Sequence, residues 1–229
     1  MTVNIIVENM KNAFKCHSRG LANLELKKYQ EAINDYDEAI ELDPNNCSYY
    51  HIRGIAYRKL GKYQEAINDH NKAIEISPGN SFYYSERADV YEELEKYQEA
   101  INDYDKAIEL EPDEVSFYCT RGFIYKKMGK YQEAINDYDK AIELYSNEGS
   151  FYYIRGLINI ELGKYEEAIN DYDEAIELCP DNSSCYHVRG VAYEKLGKYE
   201  EAINDYNKAI ELDPNCKIAI ENLKKLKNF

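Results

Sequence analysis

The chain contains no tryptophan, five prolines, three methionines and four histidines among its 229 residues. No apolar run approaches the roughly 20 residues needed to cross a bilayer. The opening stretch Met1–Asn12 has no basic segment ahead of an apolar core, its longest apolar run being Ile5-Ile6-Val7. A signal peptide and a membrane span are therefore not expected, and a soluble, cytoplasmic protein is. Basic charge is also scarce: 28 Lys and Arg stand against 43 Asp and Glu, a net charge of -15. A phosphate backbone would be repelled by that field, so the expected partner is basic or neutral and not a nucleic acid. The six cysteines, Cys16, Cys47, Cys119, Cys179, Cys185 and Cys216, form no CxxC. Neither a disulfide framework nor a zinc site follows from such spacing, and reduced thiols are the expectation. Glycine-rich phosphate loops, HExxH and GxSxG are missing as well. No catalytic residue, cofactor or metal is expected.

What is abundant is tyrosine, 24 residues of it, and it recurs in register. The string EAIND occurs at 31, 65, 99, 133, 167 and 201, a spacing of 34 residues each time. Counting outward gives six units, 13–46, 47–80, 81–114, 115–148, 149–182 and 183–216, with a lead-in over 1–12 and a tail over 217–229. A fixed period of this length is the mark of a repeat architecture. In the second unit, Tyr50, Arg53, Gly54, Tyr57 and Leu60 follow helical spacing, and Gly61 can end that helix in the left-handed conformation. Tyr63, Ala66, Ile67, His70, Ala73 and Ile74 then trace a second helix, which Pro78 closes. Each unit is thus an αα-hairpin.

Small residues recur where helices would cross: Gly20, Gly54, Gly122, Gly156 and Gly190, with Ala88 as the exception, and Ala32, Ala66, Ala100, Ala134, Ala168 and Ala202. Large side chains at these places would force the axes apart. The tyrosines at unit positions 4, 11, 17 and 24 are read as filling the space beside the crossings. Lys217 to Lys227 carries Ile218, Ile220, Leu223 and Leu226, a helix suited to cover the last apolar face.

The period, with Tyr50, Gly54, Tyr57, Gly61, Tyr63, Ala66, Ala73 and Pro78, resembles the tetratricopeptide repeat across 13–216. Departures are local. Cys16 stands for the first Tyr, Asn23 and Asn159 for the third-turn Tyr, His70 for a second-helix Tyr, Ser146 for the Pro, and Lys27 and Glu95 for the turn Gly, where looser turns are expected. The resemblance implies an all-α fold, a right-handed α-solenoid superhelix of helix-turn-helix hairpins ending in a C-terminal capping helix. First helices would line a concave groove, and the function would be that of a non-catalytic scaffold holding a protein or peptide. The Lys and Asn set with which members of the family clamp chaperone-tail carboxylates is missing from every three successive repeats, so that role is not expected.

Arg19, Arg53, Arg87, Arg121, Arg155 and Arg189 recur at unit position 7, and Asp35, Asp69, Asp103, Asp137, Asp171 and Asp205 at position 23. A residue present in every repeat is architectural, and a ladder of ion pairs between the two helices is expected. At position 13 the sign alternates through Glu25, Lys59, Glu93, Lys127, Glu161 and Lys195, so pairing across neighbouring first helices is expected.

With the groove positions that the resemblance implies, the candidate lining is His51, Ile55, Glu86, Asp89, Phe123, Tyr153, Leu157 and His187. In the third repeat Glu86, Asp89, Glu92 and Glu93 share one face. Arg58, Lys59, Lys126 and Lys127 are expected to neutralise its lower half and to leave Glu86 and Asp89 without a partner, ready for a basic residue of a bound peptide. His17 and His51, on consecutive repeats, are too far apart to share a metal. The alternative reading is a self-associating assembly protein, a weak homodimer, if Met1–Asn12 leaves the first repeat poorly covered.

Overall fold

The computed structural model describes residues 2–227, with side chains from Ile5 onward. The first residue of the expected lead-in and residues 228–229 of the expected cap lie outside that range. In chain order the first half contains α1 (Thr2–Glu25), α2 (Tyr29–Leu42), α3 (Cys47–Lys59), α4 (Tyr63–Ile76), α5 (Ser81–Glu93) and α6 (Tyr97–Leu110). There follow α7 (Val115–Lys127), α8 (Tyr131–Leu144), α9 (Gly149–Glu161), α10 (Tyr165–Leu178), α11 (Ser183–Lys195), α12 (Tyr199–Leu212) and α13 (Lys217–Lys227). These are six tandem hairpins and a thirteenth helix, with no strand among the described residues. No helix among them is long and apolar enough to cross a membrane.

The chain divides into two compact units, Met1–Phe117 and Tyr118–Phe229. Within the first, α2 packs on α1 and α3, and α4 on α3 and α5. Within the second, α10 packs on α9 and α11, and α12 on α11 and α13. A second helix sandwiched between first helices leaves each first helix a face of its own.

Local chemistry sets the helix ends. Asn46, Asn80 and Asn182 cap α3, α5 and α11 by accepting the backbone N–H two residues on. Between the helices of the second hairpin, Lys62 N–H donates to Tyr57 O at 2.9 Å and Gly61 N–H to Arg58 O at 2.9 Å. This paired closure needs a left-handed residue, and Gly61 has φ of 72°. The looser turns expected at Lys27 and Glu95 are not observed. Both residues take the same left-handed conformation, with φ of 58° and 57°. The closing bonds are as short, Lys28 N–H to Asn23 O and Lys96 N–H to Tyr91 O at 2.8 Å each. The hydrogen bonds of the turn override the side chain's preference.

The recurring glycines mark close crossings. A Cβ on Gly20 would lie 2.7 Å from the Tyr36 ring, on Gly156 2.7 Å from Tyr172, and on Gly190 2.8 Å from Tyr206. Those tyrosines, at position 24, are wholly buried, and Tyr50, Tyr84 and Tyr118 at position 4 nearly so. At position 17 Tyr63 and Tyr131 pack against buried clusters and Tyr29, Tyr97 and Tyr165 are half-buried, while Tyr199 is exposed.

The lead-in is not a separate segment. Nothing between Thr2 and Arg19 breaks a helix, and α1 runs unbroken for 24 residues. Its first turns leave Ile5, Ile6, Val7, Met10 and Phe14 exposed. At the other end α13 lays Ala219, Leu223 and Leu226 against the buried Ala202, Tyr206 and Ala209 of α12.

Candidate partner-binding faces

The position-7 arginines reach further than one repeat. Arg53 sends Nε and Nη2 to Asp69 at 2.8 and 2.7 Å, and Nη1 back to Asp37 of the preceding repeat at 2.6 Å. Arg87 joins Asp103 and Asn71, Arg155 joins Asp171 and Asp139, and Arg189 joins Asp205 and Asp173. Arg121 Nη2 lies 2.6 Å from Asp137. Arg19 meets Asp35 and Glu38, both of its own repeat. The acceptor at position 25 escaped the sequence reading, although Asp37, Asn71, Asp105, Asp139, Asp173 and Asn207 recur as regularly as the arginines. These contacts consume the charged side chains nearest the hairpin crossings. What remains half-exposed on the first helices is the candidate binding surface, and each unit carries its own.

In the first unit, α3 presents His51 and Ile55 and α5 presents Glu86 and Asp89, all half-buried. Glu86 and Asp89 are not free of partners as expected. Arg58 on α3 places Nη1 3.4 Å from Glu86 Oε2 and 2.9 Å from Asp89 Oδ2, while its Nε is 2.6 Å from Glu93 Oε1. The long guanidinium stem climbs the face to its upper half, where the sequence reading had it stop lower. Tyr104 on α6 also donates its hydroxyl to Asp89. Three carboxylates thus share one guanidinium. Burial, then the Asp89 charge, raises the Glu86 carboxyl above its ordinary value despite Arg58. The rim pairing expected at position 13 is displaced by one residue here: Glu93 pairs with Arg58, and Lys59 forms no ion pair with it or with Glu25 among the described residues.

The second unit is more apolar. Phe123 on α7 is exposed, with Lys127 Nζ 4.8 Å from its ring centre. Tyr153 and Leu157 on α9 are half-buried, the Tyr153 ring lying 6.0 Å from that of Tyr172. His187 on α11 stands 6.0 Å, ring to ring, from Tyr206, and its Nε2 is 3.4 Å from Asn222 Nδ2. Burial lowers the His187 imidazole below its ordinary value, as it does those of His17 and His51. Near neutral pH these faces carry neutral histidines.

All six cysteines are free. No group of three His, Cys, Asp or Glu among the described residues is placed to hold a metal ion. An apolar hollow of about 610 Å³ opens between the start of α1 and the α2–α3 turn, lined chiefly by Val7, Met10, Phe14 and Tyr49.

Known proteins share this arrangement. A sequence model described as "Tetratricopeptide repeat" matches residues 48–80, 115–148 and 183–216. One described as "TPR repeat" matches 20–61, 88–129 and 156–197. The crystal structure of MamA protein superposes with a TM-score of 0.69 at 26% identity, covering 73% of this chain and 92% of that one. YrrB, described as a TPR protein with an unusual peptide-binding site, gives 0.71 at 22% identity over 82% and 97%. A tetratricopeptide repeat protein from Parabacteroides merdae gives 0.71 at 20% identity over 95% and 99%. The last two likenesses concern the fold alone. No curated protein sequence matches the chain.

Proposed function

Because the chain belongs to the tetratricopeptide repeat family, we propose that it is a non-catalytic scaffold that holds a basic, partly apolar peptide or protein segment on its first-helix faces. The family is generally a non-enzymatic interaction module. The observation that carries the partner's chemistry is the first-unit cluster, where Glu86, Asp89 and Glu93 have Arg58 as their common cation. Arg58, with Lys59 adding positive charge near Glu86, leaves three carboxylates to two cations, and they remain partly open to solvent. A lysine or arginine from a partner supplies what is missing. Ile55 and His51 stand beside the cluster to take an apolar neighbour of that residue. On the second unit, Phe123, Tyr153, Leu157 and His187 offer aromatic and aliphatic contact with little charge, the kind of surface that anchors a partner. The net charge of -15 favours a basic partner over a nucleic acid.

The test is a peptide array sorted by charge and hydropathy, read with the wild-type chain and with a Glu86→Gln/Asp89→Asn variant. The neutral replacements keep the shape around Arg58 and Tyr104. Basic, apolar peptides should bind the wild type and lose about tenfold in affinity to the variant, roughly 1.4 kcal/mol. An unchanged set of bound peptides rejects the reading. A second reading, self-association, is favoured by the exposed apolar start of α1.

A further inference from the structure

Position 24 is tyrosine in five repeats and histidine only in the second. His70 is wholly buried, and neither of its ring nitrogens has a hydrogen-bond partner. Nδ1 of His51, across the same hairpin, is buried and unpartnered too. The two rings lie 5.7 Å apart at 54°. Buried polar atoms without partners are rare in folded proteins, and three in one spot call for an explanation.

The first repeat is an internal control. It has the same histidine at position 5, His17, but tyrosine at position 24, and Tyr36 places its hydroxyl 3.2 Å from His17 Nδ1. The crossings are equally tight, since a Cβ on Gly54 would lie 2.9 Å from the His70 ring and one on Gly20 2.7 Å from Tyr36. His70 fills the same crossing without bringing a hydroxyl to the histidine opposite. Among the described residues no carboxylate accepts from either of its ring nitrogens. From α3, His51 and Arg58 bear on it, and from α5 Arg87 does, with the Tyr83 ring 5.1 Å from His51. On its own helix Asp69 is committed to Arg53. The carboxylates next to Arg58 and Arg87 are likewise paired with those guanidinium groups.

We propose that the α3–α4 hairpin is an acid-labile element, opening ahead of its neighbours as pH falls from 7.5 to 5.5, because the buried His70 imidazole, facing the buried Nδ1 edge of His51, can accept a proton only by leaving the fold. Burial, then the charges of His51, Arg58 and Arg87, lowers His70 from 6.5 to about 3. A base whose folded pKa is depressed gives up stability once pH drops below its unfolded value, and keeps losing it down to the folded one. The window opens near pH 6.5. At pH 5.5 His70 alone raises the opening equilibrium about tenfold relative to pH 7.5. His51 is a candidate lining residue, so opening would also dismantle the first-unit face. That consequence rests on the scaffold reading, whereas the opening itself does not.

Hydrogen exchange by mass spectrometry on the full chain without ligand, corrected for intrinsic rates, tests it at pH 7.5 and 5.5. Protection in α3–α4 should fall about tenfold more than in α1–α2 or α5–α6. His70→Tyr, which installs the residue of the other repeats, should abolish the difference. Tyr36→His, which builds the same histidine pair in the first repeat, should transfer it to α1–α2. Equal protection loss in all three hairpins overturns the proposal. So does an acid response that survives His70→Tyr, or a folded Tyr36→His chain in which α1–α2 is no more acid-sensitive than before.

Discussion

Arg53 holds one carboxylate of its own repeat and one of the repeat before, and its side chain is only 17% exposed. Removing it strands Asp69, itself 8% exposed, with no cation in place. Pairs of this kind contribute little in net terms, since desolvation offsets attraction, but breaking one by truncation costs about 3 kcal/mol. Arg53→Ala should therefore lower the free energy of urea unfolding by roughly that amount at pH 7. The pH dependence carries the diagnosis. Burial, working against the Arg53 guanidinium, already raises the Asp69 carboxyl, and without Arg53 it titrates higher still. A carboxyl with a raised folded pKa weakens the fold while ionised and stops doing so once protonated. The deficit of Arg53→Ala should shrink as pH falls from 7 toward 5. A constant deficit would mean that lost packing of the guanidinium stem over Tyr50 and Tyr57, and not the stranded charge, is responsible.

Among the elements, the inter-helix turns are where sequence and structure part most usefully. Glu95 and Lys27 sit in the left-handed conformation that four glycines adopt in the equivalent turns. A residue with a Cβ is disfavoured there by about 1–2 kcal/mol, against which glycine adds entropy to the unfolded chain. Glu95→Gly should stabilise the chain by about 0.5–1 kcal/mol in thermal unfolding, and a lower melting temperature would show that Glu95 makes a compensating contact. Hairpins and crossings were legible because each is local or recurs every 34 residues: glycine where the helices cross, alanine opposite it, proline after second helices. The reach of Arg58 to Glu86 and Asp89 was not, because it depends on how far one first helix is offset against the next. The Asp37 and Asp173 contacts of Arg53 and Arg189 lay between these cases. Their signal was in the sequence, an Asp or Asn in register at position 25, but only the placement of a second helix against the following first helix says which arginine it serves.

Over the whole molecule, the strong negative charge and the apolar start of α1 pull in opposite directions. Two copies, each of net charge -15, repel one another at low ionic strength. That repulsion is screened over about 10 Å at 0.1 M salt and about 3 Å at 1 M. Ile5, Ile6, Val7, Met10 and Phe14 are each exposed by 44% or more, and burying such side chains against a second copy is favourable and insensitive to screening. Self-association through α1 would then strengthen as salt is added, the reverse of the proposed binding of a basic peptide to the Glu86 cluster, which salt would weaken. Sedimentation velocity across protein concentration at low and high salt separates the two forces. If α1 is the contact, a dimer should grow with salt and vanish in a Met10→Glu/Phe14→Glu variant, whose helix keeps its length because glutamate is a good helix former. A dimer that salt dissolves, or that survives the double substitution, places the contact elsewhere, on a surface held by charge.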